Sequence, residues 1–331
     1  PYGAAFSSQS ATLPYAEQTG NMTLRPNSVV SQVLYDADSG RAKGVLVIDK
    51  ETKEEIEYYG RIVFLNASTV GSTAILLHSK SDRFPEGMGN DSGELGHNLM
   101  DHAMGAGAGG TVEGFEDKYF YGRRPTGFYI PRFRNLNRAT RRTDYLRGFG
   151  YQGGAGRSGW TRGEKSFGFG AEFKESMFEP GPWSIGMGGF GECLPYHENR
   201  MYLDYHQKDQ WGQPTVTFDA EFRENERNMC KDIGESAGEM LEAAGVKNVS
   251  IRCNITNIGL GIHEMGTARM GKDPRTSVLN PYNQVHAVPN VFVTDGACMT
   301  SAACQNPSLT YMALTARAAD YAVKQLKNNN L

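Results

Sequence analysis

The sequence has no apolar run of the roughly 18 residues that a transmembrane helix requires, and no concentrated tract of Lys and Arg. Its formal net charge is −3 over 331 residues, with acidic and basic residues interspersed. Such a chain offers no electrostatic footprint for nucleic acid or for an anionic membrane. We therefore expect a soluble protein with no membrane span and no nucleic-acid partner; the composition leaves both the cytoplasm and the periplasm open.

Cysteine is scarce, and no Cys-x-x-Cys pair occurs. The five cysteines are Cys193, Cys230, Cys253, Cys298 and Cys304. An odd number without close spacing argues against a disulfide framework or a zinc site, so we expect buried, reduced thiols. The seven histidines are scattered, and we predict no metal centre. A Gly-x-Ser-x-Gly motif is also absent, which argues against a hydrolase with a serine nucleophile.

Glycine and aromatic residues are abundant instead, with 40 Gly, 16 Phe and 16 Tyr. Apolar periodicity predicts amphipathic helices at residues 222–245 and 306–327. The residue pattern over 61–78 predicts a strand, then a turn of small residues, then a helix. This geometry brings backbone N–H groups toward an anion. Residues 103–215 have no long helical period and predict a mostly antiparallel sheet with long loops. We therefore expect a mixed α/β fold with α+β character.

Two stretches match Gly-x-Gly-x-x-Gly, at Gly105–Gly110 and at Gly154–Gly159. A dinucleotide site needs a strand before these glycines and a helix after them. Neither stretch is followed by a helical pattern. We interpret both as glycine-rich strand or loop, so the chain carries no complete nucleotide-binding fingerprint of its own.

The last quarter of the chain carries the chemistry. His263 lies in Gly261-Ile-His-Glu-Met-Gly-Thr-Ala-Arg-Met-Gly271, and its side chain suits either proton transfer near neutral pH or a structural role. Asn306 precedes Pro307 at the start of the last predicted helix. There it can serve as an N-cap, or it can lie at a helix N-terminus that stabilises negative charge. Asp295 and Gly296 follow a predicted strand directly, either as a plain turn or as a close approach to a ligand.

Together these segments resemble the glucose–methanol–choline (GMC) oxidoreductase family. The His-x-x-Gly-Thr-x-x-Met-Gly, Asp-Gly and Asn-Pro-x-Leu-Thr patterns are similar to its C-terminal signature. Two more segments agree and occur in family order, Asn21-Met-Thr-Leu-Arg-Pro-Asn-Ser-Val-Val30 and Gly96-His-Asn-Leu-Met-Asp-His102. Each match is weak alone, but the set is specific and spreads over residues 21–310.

The resemblance implies an FAD enzyme that oxidises an alcohol, with a pattern closest to the pyranose oxidase-like and sugar dehydrogenase branches. It implies that His263 is the catalytic base and that Asn306 is the second residue of the catalytic pair. It also implies a set of cofactor contacts: Val30, Ala67 and Ser68 near the adenosine, and Asp295, Gly296, Asn306, Pro307 and Ser308 near the ribityl chain and ring. No metal is implied.

The resemblance also assigns the segments of the chain. Residues 1–102 would be parts of a Rossmann-like FAD domain, and residues 103–215 an antiparallel substrate domain. Residues 216–331 would return to both. Family members carry a nucleotide-binding unit before the segment that matches Pro1, so we expect a missing N-terminal segment or a partner chain to complete the FAD site. A homo-oligomer stays open.

The resemblance predicts, as substrate, a secondary hydroxyl of a sugar or glycoside, oxidised to a keto-sugar by hydride transfer to flavin N5. Aromatic residues of the middle segment can stack on sugar rings or fill the core of a sheet: Tyr119, Phe120, Tyr121, Phe128, Tyr129, Trp160 and Trp183. The choice between oxidase and dehydrogenase stays open. The alternative function is a non-catalytic subunit or remnant that acts as a binding or scaffold protein with a partner chain.

Overall fold

A computed structural model describes residues 6–119, 127–255 and 257–331. Its helices are α1 Thr12–Gln18, α2 Ser68–His78, α3 Gly170–Ser176, α4 Glu224–Ala243 and α5 Ser308–Lys327. Its strands are β1 Ser28–Asp36, β2 Arg41–Asp49, β3 Glu55–Tyr59, β4 Val63–Leu65, β5 His102–Ala103, β6 Ala106–Val112, β7 Gly127–Ile130, β8 Phe149–Arg157, β9 Trp183–Glu192, β10 Arg200–Lys208, β11 Pro214–Asp219, β12 Lys247–Cys253 and β13 Val291–Val293. Within these ranges no helix is both long and apolar enough to cross a bilayer.

A short parallel pair of strands joins two segments that lie far apart in the sequence. Strand β4 pairs with β13 in parallel register, and Phe64 stacks on Phe292 with ring centroids 4.9 Å apart. Because parallel strands end at the same edge, the segments that follow them meet: Thr294 Oγ1 donates a hydrogen bond to Asn66 Oδ1 at 2.5 Å. This pairing brings the N-terminal half of α2 beside Asp295, which accepts a hydrogen bond from Ser72. The antiparallel sheet β1–β2–β3 packs against α2 next to it.

The larger sheet has the strand order β12-β6-β9-β8-β7, with β5 paired to β9. Helix α4 covers one face of this sheet and buries Met229, Ile233, Ala237 and Leu241 against it. Residues that point toward α4, such as Tyr151 and Met187, are apolar and buried. Side chains alternate across a strand, so the neighbouring residues point to the opposite face, which is rich in glycine.

The expected fold class, mixed α/β with an antiparallel sheet, is confirmed. Both Gly-x-Gly-x-x-Gly stretches fall in or beside strands, β6 and β8, as predicted. The helix after β4 begins at Ser68, immediately after a turn that is shorter than the sequence suggested. The division of the chain at residues 102 and 215 stays a prediction.

The expectation of reduced thiols is wrong for two cysteines. Cys230 and Cys253 form a disulfide whose Cα atoms lie 5.7 Å apart. Strand β12 packs beside α4, which brings an edge residue of the sheet against the buried face of the helix. Cys193, Cys298 and Cys304 are free and buried, as expected.

Candidate active site

A buried carboxylate organises the loop that carries His263. Asp101 Oδ2 accepts hydrogen bonds from the N–H groups of Gly259 and Gly261 at 3.0 and 2.7 Å. Its Oδ1 accepts from the N–H groups of His263, at 3.2 Å, and His102, at 2.7 Å. Asp101 is fully buried, and a β-carbon on Gly261 would collide with its carboxylate. The glycine at 261 therefore lets the loop close onto Asp101.

The ring of His263 packs edge-on against His102, with centroids 4.8 Å apart and planes at 87°. Burial, and then the positive charge that His263 can carry, lower the pKa of His102 to about 4. Among the described residues, both ring nitrogens of His102 and Nδ1 of His263 are buried without a hydrogen-bond partner. His102 is therefore neutral at physiological pH, and His263 lies against an uncharged, desolvated neighbour.

The sheet face opposite α4 carries one row of cross-strand partners that runs over all its main strands. The row reads Arg252, Gly107, Gly188, Gln152 and Tyr129. Neither central position has a side chain, so a shallow trough separates the polar ends. The guanidinium of Arg252 leans over it, since a β-carbon placed on Gly188 would lie 3.8 Å from Arg252 Nη2.

The adjacent row has even smaller side chains and consists of Ser250, Gly109, Gly186, Gly154 and Gly127. Phe190 and Glu192 continue the same face at the other end of the trough, where the rings of Phe190 and His102 lie nearly perpendicular with centroids 5.4 Å apart. Glu192 accepts a hydrogen bond from Ser301 Oγ at 2.5 Å. The trough thus has a bare backbone floor that a flat ligand can approach closely.

Asn306 reaches this floor. Gln152 Nε2 donates a hydrogen bond to Asn306 Oδ1 at 2.6 Å. The interpretation of Asn306 as an N-cap is wrong: Pro307 occupies the cap position of α5 with helical backbone angles, and no side chain among the described residues caps that helix. Within the part of the chain that the structure describes, no side chain accepts a hydrogen bond from the N–H groups of this exposed first turn, which includes Ser308.

Asp295 and Gly296 connect the loop of His263 to α2. Asp295 accepts hydrogen bonds from Ser72 Oγ and from the N–H of Ala297. Burial raises the pKa of Asp295, although these hydrogen bonds oppose the shift. A β-carbon on Gly296 would collide with Thr69 Oγ1 and lie 2.5 Å from the carbonyl oxygen of Glu264. Gly296 is therefore required by the packing of the chain on itself.

The candidates near the adenosine lie together elsewhere. Val30 and Ala67 line an open cleft of about 960 Å³ between the β1–β2–β3 sheet, the edge of β4 and α2. Ser68 opens α2 with a left-handed backbone, φ +66°. The eight predicted cofactor contacts thus form two groups, one at or beside this cleft and one around residues 295–308, joined by the β4–β13 pair.

Several residues of the site escaped prediction. Asp101 and His102 lie in the segment Gly96–His102, whose resemblance to the family implies no role for either residue, and Gln152 carries no signal in the sequence. Of the aromatic candidates, Tyr129 lies on the trough. Phe128 packs toward the α4 core, and Tyr119 and Trp160 line a separate apolar pocket. Trp183 donates to the Phe115 carbonyl, and Phe120 and Tyr121 lie outside the described residues.

Comparison with protein families gives two matches. A model of the GMC oxidoreductase N-terminal region, described as GMC oxidoreductase, matches residues 1–104. The corresponding C-terminal model, with the same description, matches residues 195–315. The second range contains both His263 and Asn306.

Known proteins agree with these matches. The chain is 30% identical to a 2-methyl-1,2-propanediol dehydrogenase of Mycolicibacterium austroafricanum, over 90% of this chain and 54% of the relative. It is 28% identical to the fructose dehydrogenase large subunit of Gluconobacter japonicus, over 99% of this chain and 58% of the relative. Among solved structures, formate oxidase from Aspergillus oryzae RIB40 superposes with a TM-score of 0.68 at 15% identity, over 99% of this chain and 64% of that one. The chain spans about half the length of these curated relatives.

Proposed function

The chain belongs to the family of GMC oxidoreductases, and from that premise we propose that it oxidises a secondary alcohol, on a sugar or a glycoside, to a ketone. FAD as the cofactor is confirmed by membership of this family of flavoproteins. One observation carries the proposal. The loop of His263 and the amide of Asn306 both reach the glycine face of the β12-β6-β9-β8-β7 sheet, through His102 on β5 and Gln152 on β8.

In the proposed mechanism His263 accepts the proton of the substrate hydroxyl. Its backbone is held by Asp101, and its neighbour His102 is neutral, so the imidazole next to it does not compete for the proton. Asn306 donates a hydrogen bond from its amide nitrogen to the same oxygen and stabilises the negative charge that grows there. FAD, when bound, supplies the acceptor for the hydride that leaves the carbinol carbon.

The residues of this chain fit FAD in two places. The uncapped first turn of α5, which follows Pro307 and begins at Ser308, presents N–H groups and a positive dipole end to an anionic group. The cleft beside Val30 and Ala67 is open and lined largely by apolar residues. We propose that the first site meets the flavin and the second the adenosine.

Residues beyond this chain would complete the cofactor site. Strand β4 pairs on one edge with β13, while residues 62–67 line the open cleft. Parallel sheets are normally buried and contain more than two strands, so this pair suits the addition of further strands. We propose that a nucleotide-binding segment, on the same polypeptide or on a partner chain, covers the cleft.

The trough favours a ring-shaped, hydroxyl-bearing substrate. Its glycine floor admits the flat face of a ring, whereas Arg252 and Tyr129 offer hydrogen bonds at its ends. The names of two relatives, a diol dehydrogenase and a fructose dehydrogenase subunit, support substrates that carry hydroxyl groups.

The test is anaerobic titration of the complete, FAD-loaded protein with a panel of sugars, glycosides and simple alcohols. We expect members of the sugar or glycoside class to bleach the visible absorption of the flavin, and the product to be a ketone. A yellow protein that only primary alcohols reduce would contradict the substrate class. A colourless protein that no alcohol affects would support the scaffold alternative.

A further inference from the structure

The geometry points to Gln152 as a positioning residue that decides which end of the Asn306 amide meets the substrate. This inference rests on the proposed function, because it gives Asn306 a defined task in alcohol oxidation. An Asn side chain offers a carbonyl oxygen that accepts and an NH₂ group that donates. Only the donor end stabilises an oxygen on which negative charge grows.

Gln152 is well placed to make that choice. It lies within β8, paired with Tyr129 on β7 and with Gly188 on β9, so strands on both sides hold its backbone. Its side chain is half-buried and points to the trough, away from α4. Asn306 is exposed and lies in the loop before α5. The backbone of Gln152 is therefore held more firmly than that of Asn306.

The direction of their hydrogen bond sets the direction of the amide. Gln152 Nε2 donates and Asn306 Oδ1 accepts, at 2.6 Å. With the oxygen engaged by the sheet, the Nδ2 hydrogens of Asn306 are left to face a ligand in the trough. The torsion that flips an Asn amide is broad and roughly two-fold. Without the anchor, a neutral alcohol would select the flipped form by donating its own proton to Oδ1. That form binds the ground state but does not help the transition state.

Three variants of the complete, FAD-loaded protein test the inference. Gln152→Met keeps the shape but removes the donor. In Gln152→Glu the carboxylate can only accept hydrogen bonds, so it would pair with Nδ2 of Asn306 and turn the Asn306 amide around. Asn306→Ala removes the partner. We expect the rate constant of flavin reduction at saturating alcohol to fall about 10-fold in the first and about 100-fold in the second, with little change in the dissociation constant of the alcohol. Gln207→Met, at an exposed position of β10, is the matched control and should react as the parent.

The double variants separate positioning from simple structural damage. If Gln152 acts through Asn306, then Gln152→Met in the Asn306→Ala background should cost less than about twofold, because the partner is already gone. Equal losses in both backgrounds would overturn the inference, and so would unchanged reduction in Gln152→Met and Gln152→Glu.

A binding measurement keeps the inference testable apart from catalysis. Acetate accepts hydrogen bonds but cannot donate them, so its affinity for the oxidised protein, read from the flavin spectrum, reports the donor end of Asn306. We expect a several-fold weaker affinity in Gln152→Met and in Asn306→Ala, and no change in Gln207→Met. If no alcohol reduces the parent protein while acetate behaves in this way, the proposed function fails and the amide assignment stands. If acetate affinity is the same in Gln152→Met, the assignment fails.

Discussion

The backbone N–H of His263 donates to Oδ1 of Asp101 at 3.2 Å, and this bond is one of four that the fully buried carboxylate accepts from backbone N–H groups. The carboxylate thereby ties the loop of residues 259–263 to the start of β5. Asp101 touches the backbone of His263, whereas His102 touches its ring. Consecutive residues thus set both the position and the surroundings of the proposed base.

Replacing Asp101 with Asn should destabilise the protein and slow the reaction. An Asn has one acceptor oxygen where Asp101 has two, and its NH₂ group would face N–H donors. We expect a loss of about 1–3 kcal/mol in the free energy of unfolding, measured by urea denaturation, and slower flavin reduction in the folded fraction. Asp36→Asn, at the end of β1 beside an exposed turn, is the control and should change less. Equal stability of the parent and Asp101→Asn would contradict the role of the carboxylate.

The buried ion pair beneath the large sheet should make stability depend on pH in acid. Burial alone would raise the pKa of Asp232, but hydrogen bonds from Arg134, Tyr145 and Ser236 outweigh it and lower the pKa. The stabilisation by a carboxyl with a lowered pKa is complete above its unfolded pKa of about 3.9 and is lost as the pH falls through the folded value.

Asp232→Asn should therefore lower the free energy of unfolding at neutral pH by about 3 kcal/mol, the low end for a buried pair, because the Arg134 side chain is 28% exposed. The difference from the parent should shrink as the pH is lowered below 4. Asp144→Asn, which breaks the more exposed pair with Arg142, should cost less than about 1 kcal/mol. Denaturation curves across the acid range decide the matter, and a difference that does not depend on pH would contradict this account.

His102 should add a second pH dependence at higher pH. Its pKa is lowered to about 4 by burial and by His263, so the fold favours the neutral ring. The unfolded chain takes up a proton below about pH 6.5. The stabilisation is complete above that pH and is lost as the pH falls toward 4. Between pH 7 and pH 5 the parent should lose about 2 kcal/mol more than His102→Phe. Parallel pH profiles of the two proteins would refute the assignment.

Counting free thiols tests the disulfide between Cys230 and Cys253 directly. Titration of thiols in denaturant without a reductant should find three, those of Cys193, Cys298 and Cys304. After reduction it should find all five. Five thiols in the unreduced protein would restore the expectation from the sequence.

Much of this architecture was predictable from local patterns. The stripe of Met229, Ile233 and Ala237 predicted α4, and the small-residue turn before α2 predicted its place after β4. Residues within short sequence motifs, such as His263, could also be recognised from the sequence. Their spacing is short, and the residue types carry the chemistry.

The rest depends on pairings between distant segments. Gln152 is a single polar residue in a glycine-rich strand, and only the register that sets it beside Gly188 reveals its role. Cys230 and Cys253 are separated by 23 residues and meet only because β12 packs beside α4. Asn306 matched an N-cap pattern locally, but the contact with Gln152 overrides that propensity. The two glycine-rich stretches that match a nucleotide-binding motif lie in strands, and glycines from both form part of the floor of the trough.

The central claim is that His263 takes the substrate proton above the glycine face of the sheet. The most direct test is rapid anaerobic mixing of the FAD-loaded His263→Ala variant with a sugar or glycoside that reduces the flavin of the parent protein. We predict that the variant retains FAD, since no predicted cofactor contact is lost, and that flavin reduction slows by about 10²–10⁴-fold. Flavin reduction at the parent rate in a folded, FAD-loaded His263→Ala protein would contradict the claim.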